Sequence, residues 1–181
     1  MPHHQHHQRA VSLIELLITI IILAILTGWG ASSYTQILHN TRMRTSVADF
    51  HSSLQYARSS AIRLASYVIL CPSRDQQYCN NTSDWSNGWI VFHDLNYNRI
   101  RETDEDILHT DNALPENIFM RSSSGRKRIR FRPSGMSYGA NSSFTFCDRS
   151  LQTEPRVICL SNSGRARITD KRCNGAKIGC P

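Results

Sequence analysis

An apolar segment near the start of the chain decides its fold: residues Val11 to Gly30 read VSLIELLITIIILAILTGWG, with Glu15 as the only charged residue. A helix needs about 20 predominantly apolar residues to cross a bilayer. The segment therefore predicts a membrane-spanning helix over residues 11–30. The rest of the 181-residue chain is long enough for one domain of ordinary size.

The residues before the apolar segment, MPHHQHHQRA, are polar and end in Ala10. In a secretory signal peptide, the small residues of the cleavage site follow the apolar region. Here the small residue precedes that region, so cleavage after Ala10 would leave the helix on the mature protein. We expect residues 1–10 to be a cleaved leader peptide, and we assign its histidines no function in the mature protein.

Glu15 lies inside the expected span, where a carboxylate is costly and is a functional candidate by default. After cleavage, the nearest cation in the hydrocarbon would be the ammonium group of Val11, from the same chain or from a neighbour. A Glu15 carboxylate that is solvated near the lipid headgroups is the alternative.

Helical periodicity continues beyond the apolar segment. Apolar residues recur at steps of three and four, and no proline occurs between Val11 and Ala65. A single helix over residues 11–65 is therefore expected. Its apolar stripe consists of Val47, Phe50, Leu54, Ala57, Ala61 and Leu64.

After this helix, short runs of β-branched and aromatic residues alternate with turn residues such as glycine and proline. A long helix followed by several strands predicts an α+β fold with an antiparallel sheet, in which residues 66–181 form the head. The expected strands are residues 67–71, 89–93, 107–109, 118–121, 128–132, 143–147, 156–160 and 165–169.

The start of the chain resembles the processing signal of type IV pilins and type II secretion pseudopilins. Ala10 is followed by Val11-Ser12-Leu13-Ile14-Glu15 and then by the long apolar helix. The family usually has glycine where this chain has Ala10. The resemblance implies that a prepilin peptidase cleaves after Ala10 and that Val11 becomes N-methylated. It also implies that Glu15 draws the N-terminus of an incoming pilin subunit into register.

The head is similar to the FimT/GspH family of minor pilins. Three blocks carry the similarity: residues 84–94 (DWSNGWIVFHD), 129–135 (IRFRPSG) and 158–168 (ICLSNSGRARI). The resemblance implies a type IV pilin fold, in which two small antiparallel sheets rest on the C-terminal half of the helix. It also implies a single-pass protein of a Gram-negative inner membrane, with its head in the periplasm and, after assembly, in a pilus fibre.

Positive charge is concentrated in the C-terminal third of the chain. Residues 1–120 carry a net charge of −3, whereas residues 121–181 carry +10. Such an asymmetry suggests a polyanionic partner, either nucleic acid or anionic lipid, and a solvated basic face is the alternative.

Alternating arginines in two of the expected strands occupy positions that share one face of the strand. Guanidinium groups bind phosphate in bidentate fashion and without sequence preference. The alternative is that these charges keep exposed strands from pairing edge to edge. That role explains one basic strand better than two strands and a basic tail. The candidates are Arg128, Arg130 and Arg132 in the first strand, Arg165 and Arg167 in the second, and Lys171 and Arg172 in the tail.

The family resemblance sharpens this prediction. In FimT-type minor pilins of natural transformation, a Gly-Arg-x-Arg motif near the C-terminus binds DNA, and this chain matches it at Gly164, Arg165 and Arg167. The resemblance therefore implies a minor pilin that binds double-stranded DNA non-specifically during uptake. The alternative is a structural minor pilin or pseudopilin that primes fibre assembly without binding DNA and does not need the paired arginines.

Six cysteines beyond a membrane anchor, none of them in a CxxC pair, indicate disulfides in an oxidising compartment rather than a zinc site. The pattern alone does not select one pairing. We expect the sequential pairing, which closes three short loops: Cys71–Cys79, Cys147–Cys159 and Cys173–Cys180.

Residues 94–105 are a second candidate site, because they partly match a calcium-binding loop. Arg99 occupies the position that requires glycine, and hairpin turns also use Asp and Asn, so no metal or other cofactor is predicted. A nucleophile with a suitable base is not recognisable either, and an enzymatic function is not expected. The oxygen-bearing residues at the calcium-loop spacing are Asp94, Asn96, Asn98, Glu102 and Glu105.

Overall fold

A computed structural model describes residues 12–137, 139 and 141–180. The expected leader peptide, with its cleavage site at Ala10, and the expected methylation site Val11 lie outside the described residues. The chain divides into two compact units, Met1–Leu38 and His39–Pro181.

Helix α1 spans Leu13–Arg63, so it begins in the first unit and continues into the second. Ser12 caps its first turn, because the Glu15 N–H donates a hydrogen bond to Ser12 Oγ at 3.3 Å. These two residues have the Ser-x-x-Glu spacing of a capping box. The carboxylate of Glu15, the expected assembly residue, belongs to an exposed side chain.

The large apolar side chains of α1 from Leu13 to Leu26 are exposed in the single chain. Leu13 is 81 % exposed and Leu26 is 61 % exposed. Within the part of the chain that the structure describes, no helix combines the length and the apolar character that a bilayer span requires.

The described residues of the second unit form eight strands, which make two four-stranded antiparallel sheets. The first sheet has the order β3-β2-β1-β5 and the second has the order β4-β6-β7-β8. This architecture confirms the expected α+β fold, and each expected strand is present with small shifts at its ends. The strands are β1 Tyr67–Pro72, β2 Trp89–Asp94, β3 Ile107–Asp111, β4 Ile118–Ser122, β5 Ile129–Phe131, β6 Ser142–Asp148, β7 Arg156–Leu160 and β8 Ala166–Thr169, with a 3₁₀ turn at Ser123–Gly125.

The main core lies between the C-terminal half of α1 and both sheets. Phe50 is fully buried at its centre, with its ring centroid 4.7 to 6.1 Å from those of Trp85, Trp89, Phe144 and Phe146. Edge-on and tilted ring pairs of this kind add to the free energy gained from burying apolar area.

The expected apolar stripe of α1 is buried except at its last member. Leu64 is 38 % exposed, because α1 ends at Arg63 and Ala65 adopts a left-handed backbone conformation with φ 48°. The expected end of the helix at residue 65 was therefore two residues too late, and Leu64, the last member of the expected stripe, is not buried. The buried members of the stripe are Val47, Phe50, Leu54, Ala57 and Ala61.

The two sheets differ in how their outer faces are covered. In the first sheet, Val68 and Leu70 face the main core, while Ile69 and Cys71 belong to a second apolar cluster. This sheet is buried on both faces, as the unbroken apolar run of β1 indicates. The outer positions of the second sheet are mostly polar, which leaves one face of this sheet available to solvent and ligands.

Two of the three expected disulfides were wrong. Cys71–Cys79 is present as expected, but the other bonds are Cys147–Cys180 and Cys159–Cys173. On the neighbouring strands β6 and β7, Cys159 pairs with Ser143, four residues along β6 from Cys147. Four residues of a strand span roughly 13 Å, whereas the Cα atoms of a disulfide lie about 4.4–6.8 Å apart. Each of the two strand cysteines therefore bonds to the C-terminal tail instead.

Candidate nucleic-acid interface

A cleft of about 1240 Å³ opens on the outer face of the second sheet. It extends from the edge strand β4 to the opposite edge strand β8, and the C-terminal tail supplies part of its lining. Here the tail means residues 170–180, which follow β8. Serine and asparagine side chains and four arginines dominate the lining. The lining residues on which the site depends are Phe119, Arg121, Arg165, Arg167, Arg172 and the Cys159–Cys173 disulfide.

Strand alternation explains why these side chains share the cleft. In β4, Ile118 and Met120 point into the main core, so Phe119 and Arg121 point to the outer face. In β8, Ala166 packs against the core, which leaves Arg165 and Arg167 on the outer face. The alternation expected for these two arginines is therefore present, although Ile168 is 46 % exposed rather than buried.

Two disulfides place the tail beside this face. Cys173 bonds to Cys159 of β7, and Cys180 bonds to Cys147 of β6, with Cα–Cα distances of 5.7 and 5.9 Å. Between them, Ile178 is only 8 % exposed. These attachments hold Arg172 at the edge of the cleft.

The four arginines of the cleft have exposed side chains, and none of them forms a salt bridge with a described residue. Among the described residues that line the cleft, none is an aspartate or a glutamate. Four like charges around one concave surface that no carboxylate of the described residues lines create a positive potential that attracts anions. This cluster comprises Arg121, Arg165, Arg167 and Arg172, and we call it the arginine cluster.

The other predicted basic residues lie elsewhere. Arg128, Arg130 and Arg132 belong to β5 and its flanks in the first sheet, and they do not line the cleft. The Arg130 guanidinium lies 5.0 Å from the centroid of the Tyr67 ring. Burial, followed by the neighbouring charge of Arg99, lowers the pKa of Arg130. The two predicted basic strands therefore form separate surfaces.

Lys171 is exposed but does not line the cleft, although its neighbour Arg172 does. Arg121, in contrast, lines the cleft but was not predicted from the sequence. The signal for Arg121 was the alternation in β4, where a positive residue shares the outer face with Phe119. That signal is weak. The alternation in β4 shows that Arg121 faces outward, but it does not show that the C-terminal tail lines the same cleft.

Gly164 supports the arginine cluster without contributing a side chain to it. Gly164 lies in the turn before β8. Its φ is +75°, and its N–H donates a hydrogen bond of 2.9 Å to the Ser161 carbonyl oxygen. A Cβ atom at this position would lie 2.1 Å from the Gly135 carbonyl oxygen. That same oxygen accepts a hydrogen bond from Arg58 Nε at 3.1 Å. Glycine is therefore needed here to position Arg165.

The candidate calcium loop is closed by its own side chains. The Glu105 carboxylate accepts hydrogen bonds from the N–H groups of Leu95 and Glu102 at 2.8 and 3.2 Å. The side-chain amides of Asn96 and Asn98 donate to the Glu102 carboxylate. Across the described ranges, no group of three or more His, Cys, Asp or Glu side chains could hold a metal ion.

Two family models match the chain. The model described as type II transport protein GspH matches residues 46–164, which is more than half of the chain. The model of the prokaryotic N-terminal methylation motif matches residues 5–31. No curated protein sequence matches the chain.

Solved structures of similar fold come from two fibre systems. The type IV minor pilin FimU of Pseudomonas aeruginosa is 18 % identical, with a TM-score of 0.55, over 70 % of this chain and 91 % of that one. A second crystal form of FimU gives 17 % identity and a TM-score of 0.58 over 72 % of this chain and 90 % of that one. The minor pseudopilin EpsH of the Vibrio cholerae type 2 secretion system is 11 % identical, with a TM-score of 0.51, over 71 % of this chain and 96 % of that one. At these identities, the likeness concerns the fold.

Proposed function

The chain belongs to the GspH family and is a GspH/FimT-type minor pilin or pseudopilin, and from this we propose that it binds double-stranded DNA as a minor pilin during natural transformation. The arginine cluster is the observation that carries the proposal. Its four exposed guanidinium groups face one cleft and form no salt bridge with the described residues.

The composition of the cleft favours contacts with the phosphate backbone. Phe119 is the only aromatic residue among the described lining residues, and Arg149 lies over its ring at 5.4 Å from the centroid. Proteins that read unpaired bases usually offer a free aromatic ring for stacking. Arginine forks and serine hydroxyls instead hold phosphate oxygens, which carry no sequence information. Binding is therefore expected to be non-specific in sequence.

The N-terminal part of the proposal concerns processing and location. The methylation motif over residues 5–31 supports cleavage after Ala10 by a prepilin peptidase and methylation of Val11. The exposed apolar side chains of the first unit fit a lipid environment or the helices of other pilins. We place residues 11–30 in the inner membrane, the head of residues 66–181 in the periplasm, and Glu15 at the N-terminus of a neighbouring pilin. Three disulfides are compatible with that compartment.

The alternative function is assembly alone, as a structural minor pilin or a type II secretion pseudopilin. The fold likeness to EpsH makes this alternative concrete. Assembly requires the helix and a folded head, and it gives no physical reason for four arginines around a cleft that no described carboxylate lines. DNA binding does give such a reason, and so we prefer it.

The deciding experiment replaces Arg165 and Arg167 by glutamine in the full-length chain, purified in a non-ionic detergent. Fluorescence anisotropy with a labelled duplex gives the affinity over a series of salt concentrations. The log–log salt slope is about −0.9 per phosphate neutralised, so the double variant should flatten the slope by close to two and weaken all duplex sequences alike.

The matched control replaces Arg128 and Arg132, which removes the same charge from the first sheet. We expect a smaller loss of affinity for this control. An equal loss in the two variants would mean that net charge, rather than the cleft, drives binding. Unchanged binding after substitution of Arg165 and Arg167 would favour the assembly function.

A further inference from the structure

The tail is attached through its two cysteines, Cys173 and Cys180, and through the buried side chain of Ile178. The hydrogen bonds near its start are local: the Arg172 N–H donates to the Ala176 carbonyl oxygen, and the Lys171 N–H donates to Thr169 Oγ1. The bonds that reach β6 and β7 are covalent, through Cys180 and Cys173. Ile178 and Cys180 attach the far end of the tail, whereas the bond between Cys159 and Cys173 is the attachment directly beside Arg172.

The tail and the sheet contribute different sides of the arginine cluster. Arg121 stands on the edge strand β4, and Arg165 and Arg167 stand at the opposite edge strand β8. Arg172 comes from the tail, directly before the disulfide of Cys173. Free of that disulfide, Arg172 would sit on a segment of about ten residues, and the entropy of ordering it would oppose any phosphate contact.

We propose that the disulfide-bonded tail is a wall of the DNA-binding cleft, and that Arg172 binds a DNA phosphate only while Cys159–Cys173 is closed. This inference rests on the proposed DNA-binding function and extends it to the tail. The disulfide acts by preorganisation: it orders Arg172 before DNA arrives, so that binding does not have to supply the ordering free energy.

The bond between Cys159 and Cys173 is suited to a test. Cys173 is exposed and Cys159 is partly exposed, so serine at both positions buries no new polar group. The other tail bond is less suited, because Cys147 is fully buried. Lys177 offers a matched control for Arg172, since it carries the same charge on the same tail, is exposed, and does not line the cleft.

The experiment is a double-mutant cycle on the full-length chain in non-ionic detergent, with a labelled duplex as the probe. Arg172→Gln is measured in the native background and in the background of Cys159→Ser with Cys173→Ser. In the native background, Arg172→Gln should flatten the log–log salt slope by about 0.9, the value of one phosphate contact. In the disulfide-free background, the same substitution should change the slope by much less. Lys177→Gln should leave the slope nearly unchanged in both backgrounds.

Two results would overturn the inference. If the Arg172→Gln variant has the same log–log salt slope as the Lys177→Gln variant, Arg172 makes no phosphate contact. Equal effects of Arg172→Gln in the two backgrounds would show that the disulfide does not organise it. Failure of the proposed function is recognised separately, because substitution of Arg165 and Arg167 would then leave DNA binding unchanged. If the serine variant does not fold, the comparison of Arg172→Gln with Lys177→Gln still decides whether Arg172 contacts phosphate.

Discussion

Replacement of Gly164 by alanine tests the turn that positions Arg165 without removing any charge of the arginine cluster. The substitution adds one Cβ atom and leaves the net charge unchanged. Alanine in the left-handed conformation, here with φ +75°, costs about 1–2 kcal/mol. The new Cβ would also stand 2.1 Å from the Gly135 carbonyl oxygen, so one of the two turns must move.

The Gly135 turn packs closely against α1. Ile62 Cδ1 lies 2.7 Å from the position of a Cβ on Gly135, on the surface of α1. Displacement of the Gly135 carbonyl also breaks its hydrogen bond from the charged Arg58, which is worth about 1.5–3 kcal/mol. Addition of this loss to the cost of the left-handed alanine gives an expected destabilisation of about 2.5–5 kcal/mol for Gly164→Ala.

Urea unfolding of residues 39–181 measures this value, because the described core residues, Met43 to Ile178, all lie within that unit. Gly125→Ala is the matched control: its φ is +63°, and no other atom lies within 4 Å of the added Cβ. The control isolates the backbone cost of about 1–2 kcal/mol. A Gly164→Ala variant that is no less stable than the Gly125→Ala variant would refute the packing argument.

Two further predictions concern other parts of the chain. Burial raises the pKa of Asp148, but hydrogen bonds from the Ser150 hydroxyl and N–H and from Asn117, together with the charge of His39, lower it overall. Because the folded pKa is below the unfolded value of about 3.9, the stabilisation is present above pH ~4 and is lost as the pH falls through the folded pKa. Asp148→Asn should lower the free energy of unfolding by about 1–3 kcal/mol at neutral pH and flatten the acid limb of a stability–pH curve. The control, Asp104→Asn at an exposed position, should change neither. Glu15→Ala should leave membrane insertion intact but prevent incorporation into fibres, as followed by immunoblots of sheared pili; normal incorporation would indicate a solvated, non-functional Glu15.

Much of the head could be predicted because its signals are local. The short apolar run that forms β1, around Val68 and Leu70, is readable from a few neighbouring residues, and so is the stripe of α1 around Phe50. The end of α1 was the exception. Its position depends on the left-handed backbone at Ala65, and propensity alone does not favour alanine in that conformation.

The site could be predicted only in part, because it depends on pairing between distant segments. Arg165 and Arg167 were found from a motif, and their shared face followed from strand geometry. The pairing of Cys147 and Cys159 was wrong because it depends on the register between β6 and β7, which short loops do not reveal. Arg172 was predicted as a basic residue of the tail, but without the correct disulfides neither the place of the tail beside the second sheet nor the part of Arg121 in the cleft could be predicted.

The unequal burial of the two sheets divides the head into a frame that is packed on both sides and a surface that is open on one side. Substitutions in the first sheet must fit apolar neighbours on both sides, so few exchanges are tolerated there. On the outer face of the second sheet, exchanges at positions such as Arg121 or Thr145 leave the main core untouched. A protein engineer could therefore change the charge pattern of that face without redesigning the frame. The face that carries the arginine cluster is thus a part of the head where charge can vary with little effect on the packing of the main core.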